Sequence, residues 1–173
     1  MSDPLHDPAP LIRRVYAYVA YRIGDGPEAE DVTSETFERA LRYRGSFDHR
    51  RGDPASWLIG IARRCLADAL IDRAVLIDEV PDRVAPEEDL ATRIDLARAL
   101  ATLGEREREL LALRYGADLT ARQIGGLLEM QTNAVEVALH RALRSLRTAV
   151  EAPRRPALGG AWEATSKPRR KAG

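Results

Sequence analysis

Cysteine is almost absent: Cys65 stands alone in 173 residues. An intrachain disulfide is therefore excluded, and a reducing, cytoplasmic setting is the simple expectation. Aromatic residues make up only 5% of the chain against 45% hydrophobic residues. Any core must then be built mostly from Leu, Ala, Ile and Val, a composition that favours helices. Lysine is scarcer still, two among 27 basic residues, so contacts to phosphate would run through arginine forks. No apolar run is long enough to span a bilayer. The opening Asp, His and Pro residues do not make a charged-then-apolar export leader. Three scattered His, one Cys and no carboxylate pair on a loop form no catalytic or metal-ligating constellation, so neither an enzyme nor a cofactor is expected.

What the chain does hold is charge sorted along its length. Formal charge is zero overall, yet residues 74–97 carry seven acidic and two basic residues, and residues 151–173 carry six basic and two acidic. The first stretch, with Pro81 and Pro86, reads as an acidic linker. The second, with Pro153, Pro156, Gly159 and Gly160, reads as a disordered basic tail.

The clearest local signal runs from Leu119 to Val150. Thr120 with Gln123 three residues on is the reciprocal capping pattern of a helix start, and Leu119 with Ile124 makes a hydrophobic staple. A short helix to about Leu128 is followed by a corner at Glu129-Met130-Gln131, after which Thr132 or Asn133 can cap a longer helix. In that helix Val135, Leu139, Ala142 and Leu146 form one buried stripe. Asn133, Val137, His140 and Arg144 lie roughly opposite. This describes a helix-turn-helix, whose bland counterpart is a helical hairpin with a solvated charged face. Gly125 and Gly126 lower the first helix's intrinsic propensity.

Upstream, Asp7-Pro8 pairs a capping residue with Pro at the first helical position. Leu11, Val15, Tyr18 or Val19, and Ile23 mark one face of that helix. Asp25 and Glu28 suggest a cap for a second helix to about Arg44, acidic at its start through Glu28, Glu30, Asp31 and Glu35. Gly45 to Asp53 is a loop holding Phe47, His49, Arg50 and Arg51. Asp53-Pro54 opens a third helix faced by Leu58, Ile61, Ala62, Cys65, Leu66 and Ala69, where Cys65 reads as a small core hydrophobe. Leu96, Leu100 and Leu103 resume a helical stripe, Gly104 breaks it, and a helix from Glu105 to Tyr115 ends at Gly116.

Taken together these residues resemble a known family. Leu110-Leu111-x-Leu113-Arg114-Tyr115, the Leu119 to Leu128 segment, and Val135-x-x-x-Leu139-x-Arg141-Ala142-x-x-x-Leu146-Arg147 resemble the promoter-reading domain of bacterial RNA polymerase sigma factors of the extracytoplasmic-function class. Ala29-Glu30-Asp31-Val32, Glu35 and Phe37, then Trp57-Leu58-x-x-Ile61-Ala62-Arg63 and Asp68, resemble the sigma domain that docks on polymerase and opens the −10 element. The expected fold is all-α: a region 2-like domain over 1–76, a linker over 77–94, a region 4-like helix-turn-helix domain over 95–150, and the tail over 151–173.

The resemblance implies an alternative sigma factor that binds core RNA polymerase and promoter DNA and helps melt the latter. It also implies masking by an anti-sigma protein. For −35 readout the candidates are Thr132, Asn133, Glu136, Val137, His140, Arg141 and Arg144, with Asn133, Glu136, Val137 and His140 nearest the bases and Arg141 and Arg144 nearer phosphates. For strand capture they are Phe47, Arg50, Arg51, Arg63 and Arg64. Trp57 belongs either to that platform or, favoured by its neighbour Leu58, to the core. Asp31 and Glu35 are the polymerase-docking candidates. Ser34, Arg64, Glu136 and Ala138 depart from residues common in the family. Two rival readings remain at this level: a helix-turn-helix regulator acting without polymerase, and a sigma-like decoy.

Overall fold

The computed structural model describes residues 3–76 and 90–152, and every regular element among them is helical. The N-terminal half consists of α1 (Pro8–Ile23), α2 (Pro27–Tyr43) and α3 (Pro54–Leu76), with a single 3₁₀ turn at Arg44–Ser46. The C-terminal half consists of α4 (Leu90–Thr102), α5 (Glu105–Leu111), a π turn over Ala112–Gly116, α6 (Ala121–Leu128) and α7 (Thr132–Glu151). The tail from 153 onward and residues 77–89 of the expected linker lie outside the described residues. α4 begins at Leu90, inside the stretch read from sequence as linker.

Local chemistry explains most of the boundaries. Asp53 caps α3 as expected: its Oδ1 accepts from the backbone N–H groups of Ala55 and Ser56 at 3.0 and 3.1 Å, and its Oδ2 from the Ser56 hydroxyl at 2.6 Å. The other two acidic caps do not form. Asp7 makes no side-chain capping bond, and Pro8 starts α1 through its preset φ alone. Asp25 instead accepts a hydrogen bond from the Tyr16 hydroxyl, so the cap position of α2 falls to Gly26. Gly26 stands at φ 134°, a conformation open to glycine and strained for side-chain-bearing residues.

The helix-turn-helix forms over α6 and α7. The Thr120 hydroxyl accepts from the Gln123 N–H at 3.3 Å, and Gln123 Oε1 accepts from the Thr120 N–H at 2.7 Å, completing the reciprocal cap. Leu119 and Ile124 are both fully buried in one core. The corner turns at Glu129, which adopts φ 55°. Neither Thr132 nor Asn133 caps α7; the cap position is Gln131, with no side-chain bond, and Thr132 is already helical.

Gly125 is there for space, which offsets its poor propensity. A Cβ on it would meet the Met130 carbonyl oxygen at 2.6 Å, whereas one on Gly126 would meet nothing within 4 Å. Gly125→Ala should therefore destabilise the C-terminal half, while Gly126→Ala should stabilise the helix by about 1 kcal/mol. Urea unfolding of the two variants should move the midpoint in opposite directions.

Gly116 also departs from its expected role as a helix stop. It sits at the end of the π turn, and the left-handed residue there is Asp118, at φ 52°. A Cβ at Gly116 would stand 2.9 Å from both the Ala17 carbonyl oxygen and Tyr18 Cα of α1. Glycine is needed because two backbones touch.

That contact joins the halves. One continuous core holds Val15, Tyr18, Val19, Leu58, Ile59 and Leu66 from the first half together with Leu110, Leu113, Leu119, Ile124 and Val135 from the second. A smaller cluster of Leu103, Leu111 and Ala142, flanked by Leu100 and Leu146, belongs to the second half alone. Leu96, expected on the buried stripe of α4, is exposed, and Ala99 is buried in its stead. Cys65 is buried, and desolvation pushes its thiol above the usual range, against the pull of a hydrogen bond with Thr36. It behaves as the small core hydrophobe that its isolation suggests.

Candidate nucleic-acid interface

α7 buries Val135, Leu139 and Ala142, which fixes what the rest of the helix presents. Thr132, Asn133, Glu136, Val137, His140, Arg141 and Arg144 are all exposed. Val137 is 52% exposed, one of several large apolar side chains left at the surface. Asn133, Val137, Ala138 and Arg141 also line a shallow groove whose far wall comes from Arg106, Leu110 and Met130. Sequence reasoning missed Arg106. It lies on α5, well upstream of α7, and no local pattern links it to that face. Ser145 Oγ donates to Glu107 Oε1 at 2.7 Å, tying α7 to α5.

The second group of candidates is brought together only in part. The Phe47 ring meets His49 edge-on with centroids 4.6 Å apart, and lies against Trp57 at 5.4 Å with the planes tilted by 55°. Trp57 is half-buried and packs on the core, the placement its neighbour Leu58 favours, while its ring also meets Phe47. His49 is the aromatic member that sequence reasoning left out of the cluster. Arg50 and Arg51 are exposed beside it on the same loop, and Arg64 is exposed on α3.

Arg63 is turned elsewhere. Its Nε donates to Glu109 Oε1 at 2.7 Å and its Nη1 to the Leu127 carbonyl at 3.1 Å, both in the C-terminal half. Glu109 also pairs with Arg22 and accepts from the Tyr18 hydroxyl at 3.1 and 3.2 Å. Burial raises the Tyr18 pKa despite the nearby Arg22 and Arg63, so the phenol remains a donor.

On α2, Asp31 is exposed, while Glu35 pairs with Arg39, which reaches on to Asp68 at 2.9 Å. One capping carboxylate also crosses between halves: Gln123 Nε2 donates to Asp53 Oδ2 at 2.7 Å. Partial burial disfavours the Asp53 carboxylate, but the bonds from Ser56, Gln123 and the backbone outweigh it and hold the carboxyl below its usual range. A depressed folded-state pKa contributes stability above the unfolded value, near 4, that is lost as pH falls through the folded value. Asp53→Asn should therefore flatten the acid limb of stability below about pH 4. Acid titration followed by circular dichroism reads this directly.

An exposed, largely polar α7 set on a corner, beside a second helical half carrying an aromatic and arginine loop, defines a helix-turn-helix protein of two joined parts, all-helical among the described residues. Comparison with known proteins narrows the class. The family description Sigma-70 region 2 matches residues 10–74, and Sigma-70, region 4 matches residues 99–148. The ECF RNA polymerase sigma factor SigD of Mycobacterium tuberculosis is 33% identical over 160 residues, covering 80% of this chain and 72% of SigD. BldN of Streptomyces coelicolor, also an ECF sigma factor, is 30% identical over 143 residues, 76% of this chain and 54% of BldN. ShbA of Streptomyces griseus is 46% identical over 85 residues, 45% of this chain and 44% of ShbA. The chain thus spans about half the length of BldN and ShbA.

Among solved structures, the sigma factor RpoE from Bartonella quintana, crystallised with the anti-sigma factor NepR, shares the fold. Its TM-score is 0.66 at 20% identity, over 83% of this chain and 94% of that one. CnrH in complex with the cytosolic domain of CnrY gives a TM-score of 0.57 at 22% identity, over 84% of this chain and 83% of that one. The chain belongs to the ECF family of RNA polymerase sigma factors.

Proposed function

We propose that the protein is an alternative sigma factor that binds core RNA polymerase, recognises −35 and −10 promoter elements and promotes melting of the latter. The observation carrying this reading is the exposed face of α7 against its buried stripe, in a chain whose two halves match both sigma regions. In this reading α7, which begins at Thr132, enters the major groove, with Asn133, Glu136, Val137 and His140 toward base edges and Arg141 and Arg144 toward phosphates. Glu136 either accepts from a cytosine amino group or supports its own helix start.

The second operation is strand capture. Opening duplex costs about 1.4 kcal/mol per base-pair step, and stacking an extruded base returns about 1–3 kcal/mol. Phe47, His49 and Trp57 offer the rings, and Arg50, Arg51, Arg63 and Arg64 the positive charge. Asp31 and Glu35 on α2 face the polymerase. In this reading the protein works where the transcribing enzyme is, in the cytoplasm. Among the described residues no helix is long and apolar enough to cross a membrane. An anti-sigma protein is the proposed regulator, by analogy with RpoE from Bartonella quintana, which was crystallised with the anti-sigma factor NepR.

Reconstitution with core polymerase on selected genomic fragments tests the whole reading: permanganate-reactive thymines should appear just upstream of the transcript start. Protection without the core enzyme would favour a free-standing regulator, and association without an open region a decoy. Arg141→Ala with Arg144→Ala should lower the slope of log affinity against log salt by about two. An unchanged slope removes those residues from the phosphate contacts.

A further inference from the structure

The corner between α6 and α7 sets a thioether against a guanidinium. Met130 closes the turn through its backbone: its N–H donates to the Gly125 carbonyl at 2.9 Å, and its own carbonyl oxygen is the atom a Cβ on Gly125 would strike. Its side chain is half-buried, packs on the core and lines the groove between α5 and α7 with Asn133, Val137 and Arg141. There Arg106 Nη2 donates to Met130 Sδ at 2.8 Å. We propose that Met130 is an oxidisable regulatory site, whose sulfoxide holds Arg106 in the groove and so weakens the grip of the C-terminal half on duplex DNA. The part concerning DNA rests on the reading of α7 given above.

The first support is the poor match of the present pair. Arg106 is an exposed cation, and its bond in the groove goes to a thioether, a weak acceptor. The carboxylate on the same wall, Glu107, is occupied elsewhere: it accepts from Ser145 Oγ at 2.7 Å and from the Gly104 N–H at 3.1 Å. The Arg106 guanidinium, beside Asn133 and Arg141, can therefore leave the sulfur for a phosphate at little cost. A sulfoxide oxygen changes that balance, since it is a strong acceptor and hydrogen bonds made by a charged donor are roughly twice as strong as neutral ones.

The second support is the chemistry of the sulfur. A lone pair on Sδ attacks one oxygen of hydrogen peroxide, an S–O bond forms as the O–O bond breaks, and the other oxygen leaves as water. Sulfur loses two electrons and the peroxide gains them. The product is polar and is returned to the thioether by sulfoxide reductases, so the change can be undone.

Third, Met130 has little competition. The chain holds two methionines, the other being Met1. Cys65 is buried, and desolvation pushes its thiol up, away from the reactive thiolate.

The test titrates the full chain, before and after hydrogen peroxide, against a fluorescent mixed-sequence duplex of about three helical turns at several salt concentrations. Peptide mass spectrometry reads the added oxygen at Met130. The oxidised parent should bind about fivefold more weakly or worse at low salt, with a salt slope lower by about one. Sulfoxide reductase should restore both, and circular dichroism should show helicity unchanged throughout. Arg106→Ala should show the lower slope before oxidation and no further drop after it. Met130→Leu should keep its own affinity and slope through peroxide treatment.

The proposal is overturned by a Met130 that takes up no oxygen in the folded chain, or by an oxidised parent with affinity and slope unchanged. It is equally overturned if oxidation melts helix, or if oxidised Arg106→Ala weakens as much as the parent. The expected pattern in a chain that never directs polymerase would leave the sulfoxide site standing and remove the initiation reading instead.

Discussion

Glu109→Leu is expected to cost about 3–5 kcal/mol of stability, among the largest losses available to a single substitution in this chain. The cause is the partner left behind. The Arg22 side chain is only 7% exposed, and without the Glu109 carboxylate its charge would be left to Glu105 alone, whose side chain is 66% exposed to water, while the buried Tyr18 hydroxyl would lose its acceptor. Most of the loss should return in the double variant Glu109→Leu with Arg22→Met, because an apolar pair of similar volume needs no compensation. Urea unfolding of the two single variants and the double closes the cycle. Additive losses would show that the pair does not act as a unit.

Leu113→Ala should cost about 2–5 kcal/mol, because its side chain is fully buried in the core shared by both halves and its loss would leave a cavity there. Val137→Ala is the informative contrast. At 52% exposed it should leave stability within about 0.5 kcal/mol and weaken promoter binding instead. Thermal unfolding and promoter affinity measured on both variants separate the two roles. A large stability loss from Val137→Ala would mean that its exposed face is structural.

The parts legible in the sequence are those decided by neighbours in the chain. Thr120 and Gln123 bond to each other across three residues, Asp53 caps the helix that begins beside it, and the stripe of Val135, Leu139 and Ala142 is simple helical periodicity. Failures came where a distant group competed for a local one. Asp25 has the chemistry of a cap but is taken by Tyr16, from the preceding helix. Gly116 has the look of a helix stop but is required by α1, about a hundred residues away in the chain. Arg63 has the position of a strand-binding residue, yet its side chain is directed by Glu109.

The sequence alone determined the helical character, the capped corner, the exposed recognition face and the family, since each follows from residue types at short fixed spacings. Only the tertiary structure decided that the two halves share one core, that Glu109 gathers Arg22, Arg63 and Tyr18 from the opposite half, and that Arg106 joins the groove beside α7. The reason is physical: hydrogen bonds and caps within a helix are set over three or four residues. Burial of a charge depends on which surfaces meet, and no spacing along the chain encodes that.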